Sequence, residues 1–230
     1  MLAHGRVLLL LFLISLVFVS SPAHASDDKL EWWQPVFSDF PIGHPKIRGY
    51  LESNSRLRAN PEANINQYLL RTALGYTLRP NIEVFQGYAW VQGWLPKYIQ
   101  EQRSYQQIGI GHVLFKRLQV LHRIRTEQRF IEHRDGTSNR GRYLLRFAHP
   151  LGDTNYYVAA SDELFVTFNT LNGGPVKGVD QNRLYTALGR QIDRHVRVEV
   201  GYQWQFVNLP DTSADDISSN ALMTQFFVHF

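Results

Sequence analysis

Residues 221–230 read Ala-Leu-Met-Thr-Gln-Phe-Phe-Val-His-Phe, and the chain stops there on an aromatic. In an extended strand Leu222, Thr224, Phe226, Val228 and Phe230 share one face, while Ala221, Met223, Gln225 and His229 share the other. Phe227 is the one large apolar residue on that second face. A strand ending on Phe leaves a sheet edge without the polar protection that soluble proteins use. A barrel that crosses a membrane needs such a strand, because its last strand closes against its first. Phe226, Val228 and Phe230 therefore read as a C-terminal assembly signal for an all-β, transmembrane, antiparallel up-and-down barrel.

The amino-terminal end carries the matching expectation. Arg6 precedes a mostly apolar run of 13 residues, Val7–Val19, and Ala23-His24-Ala25 forms a small-x-small cleavage site. Thirteen residues are too few to cross about 30 Å of hydrocarbon as a helix. Residues 1–25 are thus expected to be a cleaved signal peptide, 26–45 a periplasmic segment, and 46–230 an outer-membrane barrel. The chain has no cysteine, so a closed hydrogen-bonded sheet has to supply the stability that disulfides give many exported proteins. Residues 26–230 hold 18 Arg but only 5 Lys. An exported basic chain has no nucleic acid to meet. The expected partners are outer-membrane lipid, lipopolysaccharide and the barrel-assembly machinery.

Period 2 dominates the rest of the chain. In His195–Asn208, Val196, Val198, Val200, Tyr202, Trp204 and Phe206 share one face, against His195, Arg197, Glu199, Gly201, Gln203 and Gln205 on the other. The same reading predicts about ten strands, near 46–59, 65–79, 82–94, 101–116, 119–134, 140–148, 155–169, 179–192, 195–208 and 220–230. Pairing of the Asp27–Phe40 segment, which holds Trp32 and Trp33, would raise the number to twelve. Short turns alternate with longer Gly-, Pro-, Asn- and Asp-rich connections, as in outer-membrane barrels. An even strand number places both chain ends at the periplasmic side. A soluble lipocalin-like barrel is the alternative, with its polar faces turned outward.

Around Ser161–Asp162 the alternation puts a carboxylate on the apolar face, so a β-bulge is expected there to turn it inward. In the preceding half of the chain, Leu118, Val120, His122 and Ile124 take the outer phase. Arg123, Arg125, Glu127 and Arg129 form a charged ladder pointing into the lumen, joined by Arg56, Arg58, Arg142, Arg146, Glu163 and Arg183. Guanidinium forks bridge carboxylates in two directions. The ladder reads as an ion-pair network filling a narrow lumen, or as a site admitting small anions. Catalysis by Glu127 or by the Asp162/Glu163 pair is a further reading, with Glu101, Arg129 and His133 as possible neighbours at the loop end. The histidines lack zinc spacing, Gly109-Ile110-Gly111 is followed by no helix, and the acidic loop of Asp211, Asp215 and Asp216 has no EF-hand pattern. No catalytic residue, metal or cofactor is expected.

Arg123-x-Arg125-x-Glu127-x-Arg129, Asp162-Glu163-x-Phe165 and Gln181-Asn182-Arg183, with a Trp-led amino terminus and the terminal Phe, resemble a bacterial family catalogued as domain of unknown function 2490. The resemblance spans residues 32–230. It implies a Gram-negative outer-membrane barrel and lends no activity, cofactor or catalytic residue. Two functions follow as expectations: a barrel whose Arg/Glu-lined lumen is structural or admits small anionic solutes, and an outer-membrane hydrolase acting on lipid A, phospholipid or peptide.

Overall fold

The structure, a computed structural model, describes residues 30–60, 62–94, 98–208 and 217–230. The segment expected to be a leader, 1–25, and the acidic loop at 211–216 lie outside the described residues. Eleven strands among the described residues close into one barrel. They are β1 (Leu30–Ile42), β2 (His44–Asn60), β3 (Glu62–Arg79), β4 (Ile82–Gly93), β5 (Ile99–Leu114) and β6 (Leu118–Ile131), then β7 (Ser138–Pro150), β8 (Tyr156–Thr167), β9 (Gly178–Gln191), β10 (Val196–Val207) and β11 (Ile217–His229). Among these residues no helix is long and apolar enough to cross a membrane, which says nothing about strands.

Two expectations are corrected by β1. The segment set aside as 26–45 contributes a strand of the barrel, so the number is eleven, neither ten nor twelve. The barrel is also not antiparallel throughout: β1 lies parallel to β11, with Trp33 beside Met223 and Asp39 beside His229. An odd number forces this, because strands that alternate in direction leave the first and the last pointing the same way. Leu30 consequently starts at the rim opposite His229, and the two ends of the sheet do not share a side. The β1–β11 register skips Gln34 and Pro35. Proline has no N–H for the ladder, so the seam is thinnest there.

Connections sort by rim. The rim where β11 ends carries short turns such as Pro80-Asn81, and the segment from Phe115 through Lys116, both at positive φ. The other rim carries the longer connections, including 168–177 between β8 and β9. Along each strand the faces differ sharply in chemistry. Val200 is 62 % exposed while its neighbour Glu199 is fully buried. Trp32, Leu51, Leu74, Tyr88, Ile124 and Leu222 are exposed on the outside, whereas Trp33, Glu52, Arg71, Arg125 and Glu127 are buried within. Leu118 and Val120, expected outside and exposed, are instead buried.

Two notches let large rings into this narrow interior. A methyl group on Gly87 would lie 2.3 Å from the Tyr105 ring, and one on Gly189 would lie 2.2 Å from the Tyr157 ring. Glycine at these positions is a packing requirement. The β-bulge expected at Ser161–Asp162 is absent. The β7–β8 register runs unbroken from Arg140↔Thr167 to Pro150↔Tyr157, and the shift in β8 falls at Phe165/Val166 against β9. Asp162 stays on the outer face, where the Asn182 amide donates to both its oxygens at 3.2 Å. A neighbouring amide satisfies the carboxylate without breaking the ladder. The outer face of β4–β6 uses the same device: Gln106 donates to Gln86 at 2.9 Å and accepts from Thr126 at 2.9 Å.

Candidate functional site: a charged lumen interleaved with aromatic rings

The inward phase of the strands brings the acids and arginines together across strand boundaries. Glu127, 1 % exposed, is the hub. Its two oxygens accept from Arg142 at 2.7 Å and Arg140 at 2.7 Å, both on β7. Arg140 also reaches Asp180 at 3.0 Å. Glu163 accepts from Arg123 and Arg142, each at 2.7 Å. Glu101 is held bidentately by Arg103, at 2.8 and 2.9 Å, and is bonded by Arg129 at 2.5 Å. Glu52 pairs with Arg71, and Glu31 takes Arg58 at 2.9 Å and the Trp33 indole N–H at 2.7 Å.

Toward the short-turn rim, Arg146 pairs with Glu199, which also accepts from the Tyr157 hydroxyl at 2.7 Å. Asp39 takes both Arg48 and His229, and the other ring nitrogen of His229 lies 2.8 Å from Arg197. Bidentate and multiply bonded carboxylates of this kind are what makes buried charge tolerable.

Aromatic side chains interleave with the arginines, paired and unpaired alike. Guanidinium carbons of Arg56 and Arg183 lie 3.7 and 5.2 Å from the Trp33 ring centre. Arg71 and Arg125 approach Tyr105, while Arg140, Arg142 and Arg183 surround Phe165. Arg146 and Arg197 approach Phe227, which explains the aromatic exception on the polar face of the last strand; Phe37 of β1 stacks on the same ring at 5.0 Å. A ring face attracts cations and separates like charges that would otherwise repel.

The structure places all ten residues of the predicted charged ladder in this interior, but pairs them differently from a ladder within one strand. Arg125 stands 3.9 Å from Glu127 and donates instead to Gln107 at 2.9 Å. The Asp162/Glu163 pair is divided, one acid outside and one inside, so it forms no catalytic dyad. Glu101 and Arg129 do meet, but His133 sits on an exposed turn at positive φ, 3.6 Å from Glu132. Among the described residues no group of three metal-binding side chains gathers. Sequence reasoning missed Trp33, Tyr105 and Phe165 as lumen members. The signal was present: each falls on the same parity as the lumenal charges of its strand.

An all-β closed barrel with apolar side chains outside and a paired ionic interior is the class that fold and site define. The chain belongs to the family described as Protein of unknown function (DUF2490), which it matches over residues 30–216. It is also similar to an uncharacterized protein of Methylorubrum extorquens, 30 % identical over 206 residues, covering 88 % of this chain and 89 % of that one.

Proposed function

We propose that this protein is an integral outer-membrane barrel whose lumen is closed by the Arg/Glu/aromatic network, so that it acts as a membrane-embedded scaffold and not as a general pore. The carrying observation is the inverted placement of polarity, with Val200 exposed beside a fully buried Glu199. In water this arrangement leaves large apolar side chains wet while dehydrating charges, both unfavourable. In a bilayer the same outer face is solvated by lipid, and the barrel leaves no open edge.

On this reading the leader delivers the chain to the barrel-assembly machinery, and the outer face meets lipid and lipopolysaccharide. Folded barrels of this kind resist detergent at room temperature and unfold on heating. Mobility of membrane-extracted protein should therefore differ between boiled and unboiled samples. Recovery in the soluble periplasmic fraction, with no heat-dependent shift, refutes the location. A closed lumen also predicts no steady conductance in planar bilayers, and stable ohmic channels from the unmodified protein refute closure.

A further inference from the structure

We propose that the barrel binds a small oxyanion of phosphate chemistry at Arg56 and Arg183, entering from the long-loop rim. The inference rests on the lumen network and not on the membrane location. Arg125 bonds the Gln107 amide and Arg197 approaches the His229 ring, but most other guanidiniums in the lumen have a direct carboxylate partner, as Arg142 has Glu127 and Glu163. Arg56 and Arg183 have none among the described residues.

Arg183 donates to two neutral amides, Gln205 at 2.8 Å and Gln181 at 3.3 Å. Arg56 lies over the Trp33 ring, and its Nε is buried without a hydrogen-bond partner. The acid nearest that ring, Glu31, is already taken by Arg58, Asn66 and the indole N–H. Both guanidinium carbons lie within 5.2 Å of one indole centre. Two positive charges on one ring, neither in salt-bridge contact with a carboxylate, constitute a standing demand for an anion. A ring face offsets only part of it, since it carries a quadrupole and no net negative charge. The planar guanidinium fork suits a tetrahedral oxyanion, which accepts two parallel N–H bonds.

The long-loop rim offers an opening one residue away from Arg183. A cavity of about 260 Å³ opens at the long-loop rim, lined by Arg129, Arg140, Lys177, Asp180 and Gln181 among others. Its one carboxylate, Asp180, is occupied by Arg140, so the mouth is cationic. Gln181 lines this cavity and bonds Arg183 on its inner side. An anion is therefore attracted at the mouth and passed along one residue to the unmatched pair. Its source is either free phosphate or the phosphate of a lipid headgroup.

The test uses the full-length protein refolded in zwitterionic micelles. Thermal midpoints are measured against inorganic phosphate, against chloride at matched ionic strength, and in micelles doped with phosphatidylglycerol. Wild-type protein should be stabilised by phosphate and not by chloride, and the apparent Kd should rise about tenfold or more in Arg56→Gln and in Arg183→Gln. Arg117→Gln, at an exposed pair, should behave as wild type. Stabilisation by the doped micelles alone, lost in the same two variants, assigns the headgroup as the source and supports the site. If either glutamine variant fails to fold, phosphorus NMR decides on wild-type protein: line broadening relieved by sulfate supports the site, and unbroadened lines overturn it. Equal responses to phosphate and chloride, or a phosphate effect undiminished in both variants, overturn the proposal.

Discussion

Asp39 and His229 join side chain to side chain across the parallel β1–β11 ladder, 190 residues apart in sequence. Arg48 on β2 holds the same carboxylate, and Arg197 on β10 approaches the other side of the imidazole. Four consecutive strands of the closed sheet are thereby clasped at one rim.

Removing either half of that clasp should weaken closure. Asp39→Ala and His229→Ala should each lower the thermal midpoint, and the double variant should cost less than their sum. The pair is partly exposed, so solvent screening holds the expected coupling to about 1 kcal/mol. Additive losses in a double-mutant cycle count against the clasp.

Glu127 offers the sharpest stability prediction. With its side chain 1 % exposed and two arginines on its oxygens, truncation leaves Arg140 with Asp180 alone and Arg142 with Glu163 alone, and buried positive charge in excess. Glu127→Ala should cost about 3–5 kcal/mol, read as a fall in the unfolding midpoint. The Arg117–Asp153 pair is the internal comparison, with side chains 48 % and 91 % exposed. Arg117→Ala should change stability by less than about 1 kcal/mol. An unshifted midpoint for Glu127→Ala overturns the reading of the lumen as a plug.

Asp162 tests which medium bathes the outer face. In lipid, an exposed carboxylate satisfied only by an amide is a cost, and Asp162→Leu should raise the unfolding midpoint in bilayers. In a water-facing barrel the same change adds exposed apolar area and gives no gain. Equal or lower stability of the leucine variant in lipid vesicles opposes the membrane setting.

Phe230 is exposed; its ring lies 5.7 Å from that of His195, and its N–H donates to the Asp39 carbonyl at 3.1 Å. Deleting it removes both the ring and a backbone bond at the seam, whereas Phe230→Tyr keeps them. Folded protein recovered in outer membranes should fall for the deletion and stay near wild type for tyrosine. Wild-type recovery of the deletion refutes the assembly role.

One titration is local to a turn. The Asp193 carboxylate accepts from the backbone N–H groups of His195 and Val196, and these bonds lower its pKa below the ordinary 3.8. A depressed pKa contributes stability above the ordinary value and loses it as pH falls through the folded one. The protection of the Val196 amide, measured against the intrinsic exchange rate at each pH, should therefore fall below about pH 4, and Asp193→Ala should abolish that pH step. A step of equal size in the variant rules out the carboxylate as its origin.

Much of the barrel was legible because alternation in strands such as β10 is regular enough to fix both faces. The first strand was not. Pro35 and Pro41 punctuate it, and adjacent Trp32 and Trp33 project to opposite sides, so no apolar stripe stands out. The lumenal phase of Arg123, Arg125, Glu127 and Arg129 could be read from parity alone. Their partners could not, since Glu127 meets Arg140 and Arg142 only through the β6–β7 register, which depends on the length and shape of the intervening connection. The fate of Asp162 turned on a neighbour from another strand, Asn182, that no local pattern announces.

The parallel seam sets an order of events during folding. Every other ladder joins strands consecutive in sequence and can zip from its own connection. The β1–β11 ladder has no connection to start from: its partners must find one another across nearly the whole chain, against a loop-closure entropy that grows with length. It forms last, with the donor missing at Pro35 leaving it the least bonded. The same ladder should be the first to part on heating, opening the barrel as a sheet with its rows of neighbours intact before any hairpin is lost.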